Sequence, residues 1–195
     1  VLRGLLIEFA KLRDAELADW IEDRVTCPSS MVDRIVPATT EKDRQNVQKQ
    51  LGFEDQGVVV TESFSQWVLE DNFCAGRPAW EEVGVTMVDD VTPFEHMKLR
   101  MLNGTHSTLA YLGFMAGHKF VADAANDSDF QQLLLGMWQD EIIPTLSMPV
   151  GIDLPVYAHD LMARYQNPEL HHRLYQIAMD GAQKLPQRLL GTLRD

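Results

Sequence analysis

Three polar side chains in the stretch KLRMLNGTH could act together on a reacting hydroxyl: Lys98, Asn103 and His106. A lysine amine can exchange a proton with a reacting hydroxyl. An asparagine amide can donate to a developing oxyanion, and an imidazole can hold a hydroxyl. At roughly 100° per helical residue they fall near 0°, 140° and 80°, within less than half of a helix circumference. Spacing alone leaves a second reading open. Lys98 would then snorkel, Asn103 would be a polar residue of indifferent helix propensity, and His106 would be a satisfied half-buried histidine.

The element that must position them is the stretch 92–118, which reads as one long helix. Thr92 can cap it, Pro93 suits the first helical position, and Glu95 completes a capping box. Lys98, Met101, Leu102, Thr105, Leu109, Leu112 and Gly113 share one face at i, i+3, i+4, i+7 spacing. Lys98 heads an otherwise apolar face. Desolvation by such company favours a neutral amine, the form that can act as a base. Glu95 lies at i−3 to Lys98, so it could relay a proton to solvent as well as cap the helix.

The remaining elements follow from pattern and punctuation. Residues 1–23 read as a helix with the apolar stripe Leu2, Leu5, Leu6, Phe9, Leu12, Leu17 and Trp20, and with Asp14 as a break or cap. Residues 25–43 read as an ordered loop with an extended piece at Met31–Val36. Asp33 interrupts that piece. It either pairs with neighbouring Arg34 or sits at the lip of a site. Residues 40–51 read as a polar helix ended by Gly52. Residues 57–62 and 83–88 read as strands, and 65–73 is ambiguous. Helices are expected over 127–145, 154–165 and from Pro168 to the end, the last one broken or bent at Gly181. Lys184 and Arg188 form a basic i, i+4 pair there. They either complement the helix dipole or grip a carboxylate or a row of hydroxyls.

Composition excludes several classes. The 195 residues carry a formal charge of −12, which argues against nucleic acid or an anionic membrane as partner. No apolar run approaches the roughly 20 residues of a membrane span. The opening residues read as an amphipathic helix rather than a signal peptide. Cys27 and Cys74 have neither metal-ligand spacing nor disulfide-framework density, and read as free thiols of a cytoplasmic protein. His171 and His172 are adjacent and point apart on a helix, so they do not chelate a metal together. There is no G-x-S-x-G, no G-x-x-x-x-G-K-[ST] and no G-x-G-x-x-G after a strand. The chain opens without Met inside an apparent helix, which suggests a piece of something longer.

The segments SSMVDRIVPATT (29–40), residues 64–106 ending in K-x-x-x-L-N-G-T-H, AYLGF (110–114) and RYQNPELHHRLYQIAMDGAQKLPQR (164–188) resemble the C-terminal domain of the long-chain mannitol dehydrogenase family. That family also contains fructuronate reductase, the D-mannonate oxidoreductase. The resemblance covers most of the chain, and the tail IAMDGAQKLPQR looks more like the fructuronate reductase side. It implies a mainly α, multi-helical domain with a small β element, like the C-terminal domain of 6-phosphogluconate dehydrogenase. Residues 1–195 would be the substrate-binding and catalytic domain of a two-domain enzyme. The activity implied is metal-independent, NAD-dependent interconversion of a secondary alcohol and a ketone at C2 of an open-chain sugar acid or polyol. Lys98 would be the general acid/base, Asn103 would stabilise the alkoxide-like oxygen, and His106 would hold substrate hydroxyls. Asp33 and Lys184 match substrate-side positions. The family's dinucleotide fingerprint and partner asparagine are missing from these residues. The resemblance therefore places the Rossmann domain outside this chain, as its partner, and the chain alone would be inactive.

Two readings from other classes compete. One is a helical interaction module without chemistry, in which Lys98 only snorkels. The other is an aldolase with Lys98 as its Schiff-base residue.

Overall fold

The computed structural model describes residues 1–195 as two compact units. The first comprises Val1–Val32 and Gln66–Thr92, the second Asp33–Ser65 and Pro93–Asp195.

In the first unit, two helices replace the single one expected at the start: α1 (Leu2–Lys11) and α2 (Ala15–Arg24). Asp14 divides them. Its carboxylate accepts the Leu17 amide and caps α2, satisfying a donor that every helix start leaves open. The apolar stripe of α1 and α2 stays exposed; Ile7, Ala10 and Ala18 are buried instead. The Arg3 guanidinium, donating from Nε to the Val25 carbonyl at 2.9 Å, helps set which face turns inward. Strands β1 (Ser30–Asp33), β2 (Gln66–Glu70) and β3 (Thr86–Val88) form a sheet in that order. β2 and β3 are parallel, with Val68 opposite Thr86 and Glu70 opposite Val88. The ambiguous stretch 65–73 is thus a strand. The strand expected from Val83 is shortened by a 3-10 turn at Trp80–Val83 and by left-handed Gly84 at φ 91°. Cys27 and Cys74 are free thiols.

The second unit begins with α3 (Glu41–Leu51), which matches its expected span. Thr40 and Asp43 cap each other reciprocally, and Gly52 closes the helix in the left-handed region at φ 79°. The run Gly57–Glu62 is irregular, not a strand. Its contacts to the preceding segment include Glu62 N to Ile35 O at 3.3 Å and Thr39 Oγ1 to Val58 O at 2.9 Å, which build no ladder. β-branched residues make a strand only where a neighbouring edge accepts it.

The expected long helix is present but unevenly wound. It runs as α4 (Thr92–Met97), a π stretch (Lys98–Gly104), α5 (Thr105–Thr108) and a second π stretch (Leu109–Gly113). Thr92 lies inside the first turn, not at the cap, and its amide donates to Asp90 Oδ1 at 2.9 Å. Leu112 is exposed because the second π stretch rotates it off the apolar face. The first stretch is held by side chains inserted into the backbone ladder. Thr105 Oγ1 and Trp138 Nε1 donate to Met101 O at 2.5 and 3.0 Å, and Tyr165 OH donates to Leu102 O at 2.6 Å.

Around it lie α6 (Val121–Ala125), α7 (Ser128–Gly136) continued by a π turn (Met137–Ile142), and α8 (Leu154–Tyr165). Asp127 and Asp153 cap α7 and α8. The expected last helix comes in pieces: α9 (Leu174–Ala178), α10 (Gly181–Leu185), a π turn (Pro186–Leu190) and α11 (Gly191–Arg194). The break is at Asp180, left-handed at φ 60°. Phe94, Met97, Met101, Leu109, Trp138 and Tyr165 form the centre of the core. No helix is long and apolar enough to cross a membrane.

Candidate active site

A cavity of about 260 Å³ in the second unit is lined by Lys98, Asn103, His106, Asp33 and Lys184 together. Glu95 is not among its lining residues and is exposed, so no contact supports a relay through it.

Lys98 and Asn103 reach the cavity because of the π winding. Hydrogen bonds in a π-helix run between residues five apart, so positions i and i+5 stack on one face. Neither the Lys98 amine nor the Asn103 amide has a partner within the chain. Both are free to meet a ligand.

His106 is 5% exposed. It stacks on Tyr165 at 5.2 Å and meets the His172 ring edge-on at 5.0 Å. Burial, then the His172, Arg188 and Arg164 charges, holds its pKa well below the ordinary imidazole value. Burial also pushes His172 down to about 4. His106 Nε2 and His172 Nδ1 are buried without hydrogen-bond partners. A neutral imidazole with an open ring nitrogen is suited to a hydroxyl.

Asp33 does not pair with Arg34. It is fully buried and bound to Arg164, whose Nη2 and Nη1 donate to its two oxygens at 2.7 and 3.0 Å. Tyr157 OH adds a bond to Asp33 Oδ2 at 2.7 Å. Burial and the neighbouring Asp33 raise the Tyr157 pKa well above the ordinary phenol value. Arg164 also binds Glu62 and packs over the Phe64 ring at 4.0 Å. Burial opposes its charge, but the two carboxylates outweigh that and raise its pKa. Asp33 is thus an anchored carboxylate with both oxygens occupied.

Lys184 and Arg188 approach from the C-terminal segments. Lys184 Nζ donates to Met179 O at 2.6 Å, beside the bend at Asp180. Arg188 Nη1 donates to Ser107 Oγ at 3.1 Å, and burial lowers its pKa from the usual guanidinium value. The close approach needs Gly104: a Cβ there would lie 2.7 Å from Arg188 O.

Sequence reasoning missed Arg34, His172 and Gln176 as lining residues, and Glu62 and Arg164 behind them. Arg34 was visible only as a possible ion-pair partner of Asp33. His172 carried no spacing signal, since it lies 66 residues beyond His106 and is brought back by the fold.

Comparison with known proteins gives the site its context. The family of mannitol dehydrogenase C-terminal domains matches residues 90–195, and that of mannitol dehydrogenase Rossmann domains matches residues 1–82. The second match corrects in part the expectation that Rossmann sequence lies wholly outside the chain. The dinucleotide fingerprint, the compact signal of that domain, does not occur in those residues. The uncharacterised oxidoreductase YdfI of Escherichia coli (strain K12) is 52% identical over 194 residues, covering 100% of this chain and 40% of that protein. The D-mannonate oxidoreductase of the same organism is 51% identical with the same coverage. The structure of Pseudomonas fluorescens mannitol 2-dehydrogenase, a ternary complex with NAD and D-mannitol, superposes with a TM-score of 0.89. It shares 43% identity over 98% of this chain and 39% of its own. The chain therefore spans about two fifths of the length of the curated relatives it matches.

Proposed function

The chain belongs to the mannitol dehydrogenase family, and from that membership we propose that it is the substrate-binding and proton-transferring part of an NAD-dependent dehydrogenase. The reaction interconverts a secondary alcohol and a ketone at C2 of an open-chain sugar acid, with D-mannonate and D-fructuronate as the favoured pair. Lys98 takes the hydroxyl proton during oxidation and returns it during reduction. Asn103 donates to the alkoxide-like oxygen, and His106 orients neighbouring hydroxyls. The free Lys98 amine and Asn103 amide on one face support these roles.

NAD, when bound, supplies the hydride acceptor. This chain offers no glycine-rich turn for a pyrophosphate, so the cofactor's phosphates are held mainly by other residues of a longer protein. The donor set fits the other half of the reaction, since the amine, amide and imidazole handle the proton and the oxygen.

The observation that carries the sugar-acid reading is the charge of the wall. Arg34, Lys98, Lys184 and Arg188 line the cavity, whereas the lining carboxylate Asp33 is already occupied by Arg164. A wall with that balance suits a substrate that brings a carboxylate. A neutral polyol is the second reading, favoured by the 43% identity to a protein solved with D-mannitol.

The test is NAD⁺ reduction by the full-length protein with D-mannonate and D-mannitol side by side, wild type against Lys98→Ala. Turnover of mannonate, lowered about 10²–10⁴-fold in the variant, is expected. Turnover of mannitol alone would keep the chemistry and change the substrate. Wild-type activity in Lys98→Ala would end the mechanism and return the chain to a non-catalytic helical module.

A further inference from the structure

Two buried carboxylates, Asp33 and Glu62, share one guanidinium. Arg164 donates to Asp33 at 2.7 and 3.0 Å, and from Nε and Nη2 to Glu62 at 2.9 and 2.7 Å. Asp33, Glu62 and Arg164 are 0%, 4% and 9% exposed. Such a cluster is a weak source of stability, because desolvating its charges costs much of what their attraction returns. Its stronger effect is on geometry, and here the geometry concerned is that of Arg34.

Glu62 holds the chain around Arg34 with four bonds. Its carbonyl accepts Arg34 Nε and Nη2 at 3.3 and 3.2 Å. Its carboxylate accepts the Ile35 amide at 2.5 Å, and its own amide donates to Ile35 O at 3.3 Å. Asp33, on the other side of Arg34, is fixed by Arg164 and Tyr157. No helix or strand holds residues 34–36, so these side-chain and cross-chain bonds do. Two guanidinium nitrogens of Arg34 are thereby occupied. Nη1 is left without a partner, and Arg34 lines the same cavity as Lys184 and Arg188.

We propose that Glu62 is a positioning residue: acting through Arg34, it sets how the cavity presents a guanidinium to the carboxylate of a sugar-acid substrate. The proposal rests on the sugar-acid reading above. Glu62 itself touches no substrate. Arg34 is the specificity-determining contact, and the Asp33–Arg164–Glu62 cluster is its mount.

The test is a double-mutant cycle in the full-length protein: Arg34→Ala, Glu62→Gln and both together, with KM and kcat measured on D-mannonate and D-mannitol. Arg34→Ala and Glu62→Gln are each expected to raise KM for mannonate about tenfold with kcat little changed, and the double variant to match Arg34→Ala alone. Additive losses, or equal losses on both substrates, would mean that Glu62 is merely structural. Arg34→Ala leaves the buried cluster intact, so it serves even if Glu62→Gln fails to fold: an unchanged mannonate KM in Arg34→Ala overturns the proposal by itself. If only D-mannitol is turned over, the sugar-acid reading falls. The coupling of Arg34 to Glu62 is then read from KM for mannitol, where additivity would refute it separately.

Discussion

Lys98 and Asn103 stand five residues apart on a π-wound stretch and line one cavity, the side chains of both unpartnered. In a straight α-helix they would diverge by roughly 140°. Trp138, Thr105 and Tyr165 hold the wider winding by donating to Met101 O and Leu102 O.

Tyr165→Phe removes a donor to Leu102 O. Leu102 O keeps its bonds from Thr105, so the loss is that of one net hydrogen bond, about 0.5–1.5 kcal/mol. The expected outcome in the full-length protein is a lower melting temperature together with a fall in kcat of about tenfold, KM being less affected. A variant with a lower melting temperature but wild-type kcat would show that the winding does not depend on Tyr165.

Asp33→Ala strips Arg164 of one of its two carboxylates. Breaking a buried pair costs about 3–5 kcal/mol, so urea unfolding should shift markedly, with or without substrate. Arg34 is the comparison: Arg34→Ala removes only its bonds to the Glu62 carbonyl and should cost less, about 0.5–1.5 kcal/mol. An unchanged urea midpoint in Asp33→Ala would return Asp33 to the role of a direct substrate contact.

His172 has a folded pKa near 4 against an ordinary value of 6.5. Between those values the unfolded chain carries a proton that the folded chain does not. Stability is thus full above about pH 6.5 and declines as pH falls toward 4. His106 shifts in the same direction. The urea midpoint should be lower at pH 5 than at pH 7.5, and the gap should shrink in His172→Gln. An identical gap in wild type and variant would mean that His172 is protonated in the folded state.

Gly104→Ala would push a methyl group to 2.7 Å from Arg188 O, a backbone atom that cannot swing away. Overpacking of this kind costs about 1–3 kcal/mol, and here it also displaces Arg188 from the cavity. A raised KM and a lower melting temperature are expected. Gly136→Ala, on a helix position with open space, is the control and should be neutral or slightly stabilising. Equal behaviour of the two variants would remove the argument for close packing at Gly104.

What could be read from the chain was mostly local. The cap at Asp14, the stop at Gly52 and the span of α8 depend on residues a few positions apart, as does the spacing that puts Lys98, Asn103 and His106 within half of a helix circumference. The winding of the first π stretch depends on Trp138 and Tyr165, far along the chain, and a regular helical wheel misjudged Leu112, which lies in the second π stretch. The true partner of Asp33 is 131 residues away, while the nearest cation in sequence, Arg34, was already committed to Glu62. The run Gly57–Glu62 had strand propensity and no edge to pair with.

The residues proposed to move the proton all sit on one helix, whereas the cations proposed to recognise the far end of the substrate come from elsewhere. Arg34 follows β1, and Lys184 and Arg188 lie beyond the bend at Asp180. Reaction and recognition are therefore tunable apart from each other. On the proposed reading, substitutions in the C-terminal segments would change which substrate is accepted while the lysine and asparagine stay where they are. One scaffold can in this way diversify its diet without relearning its chemistry.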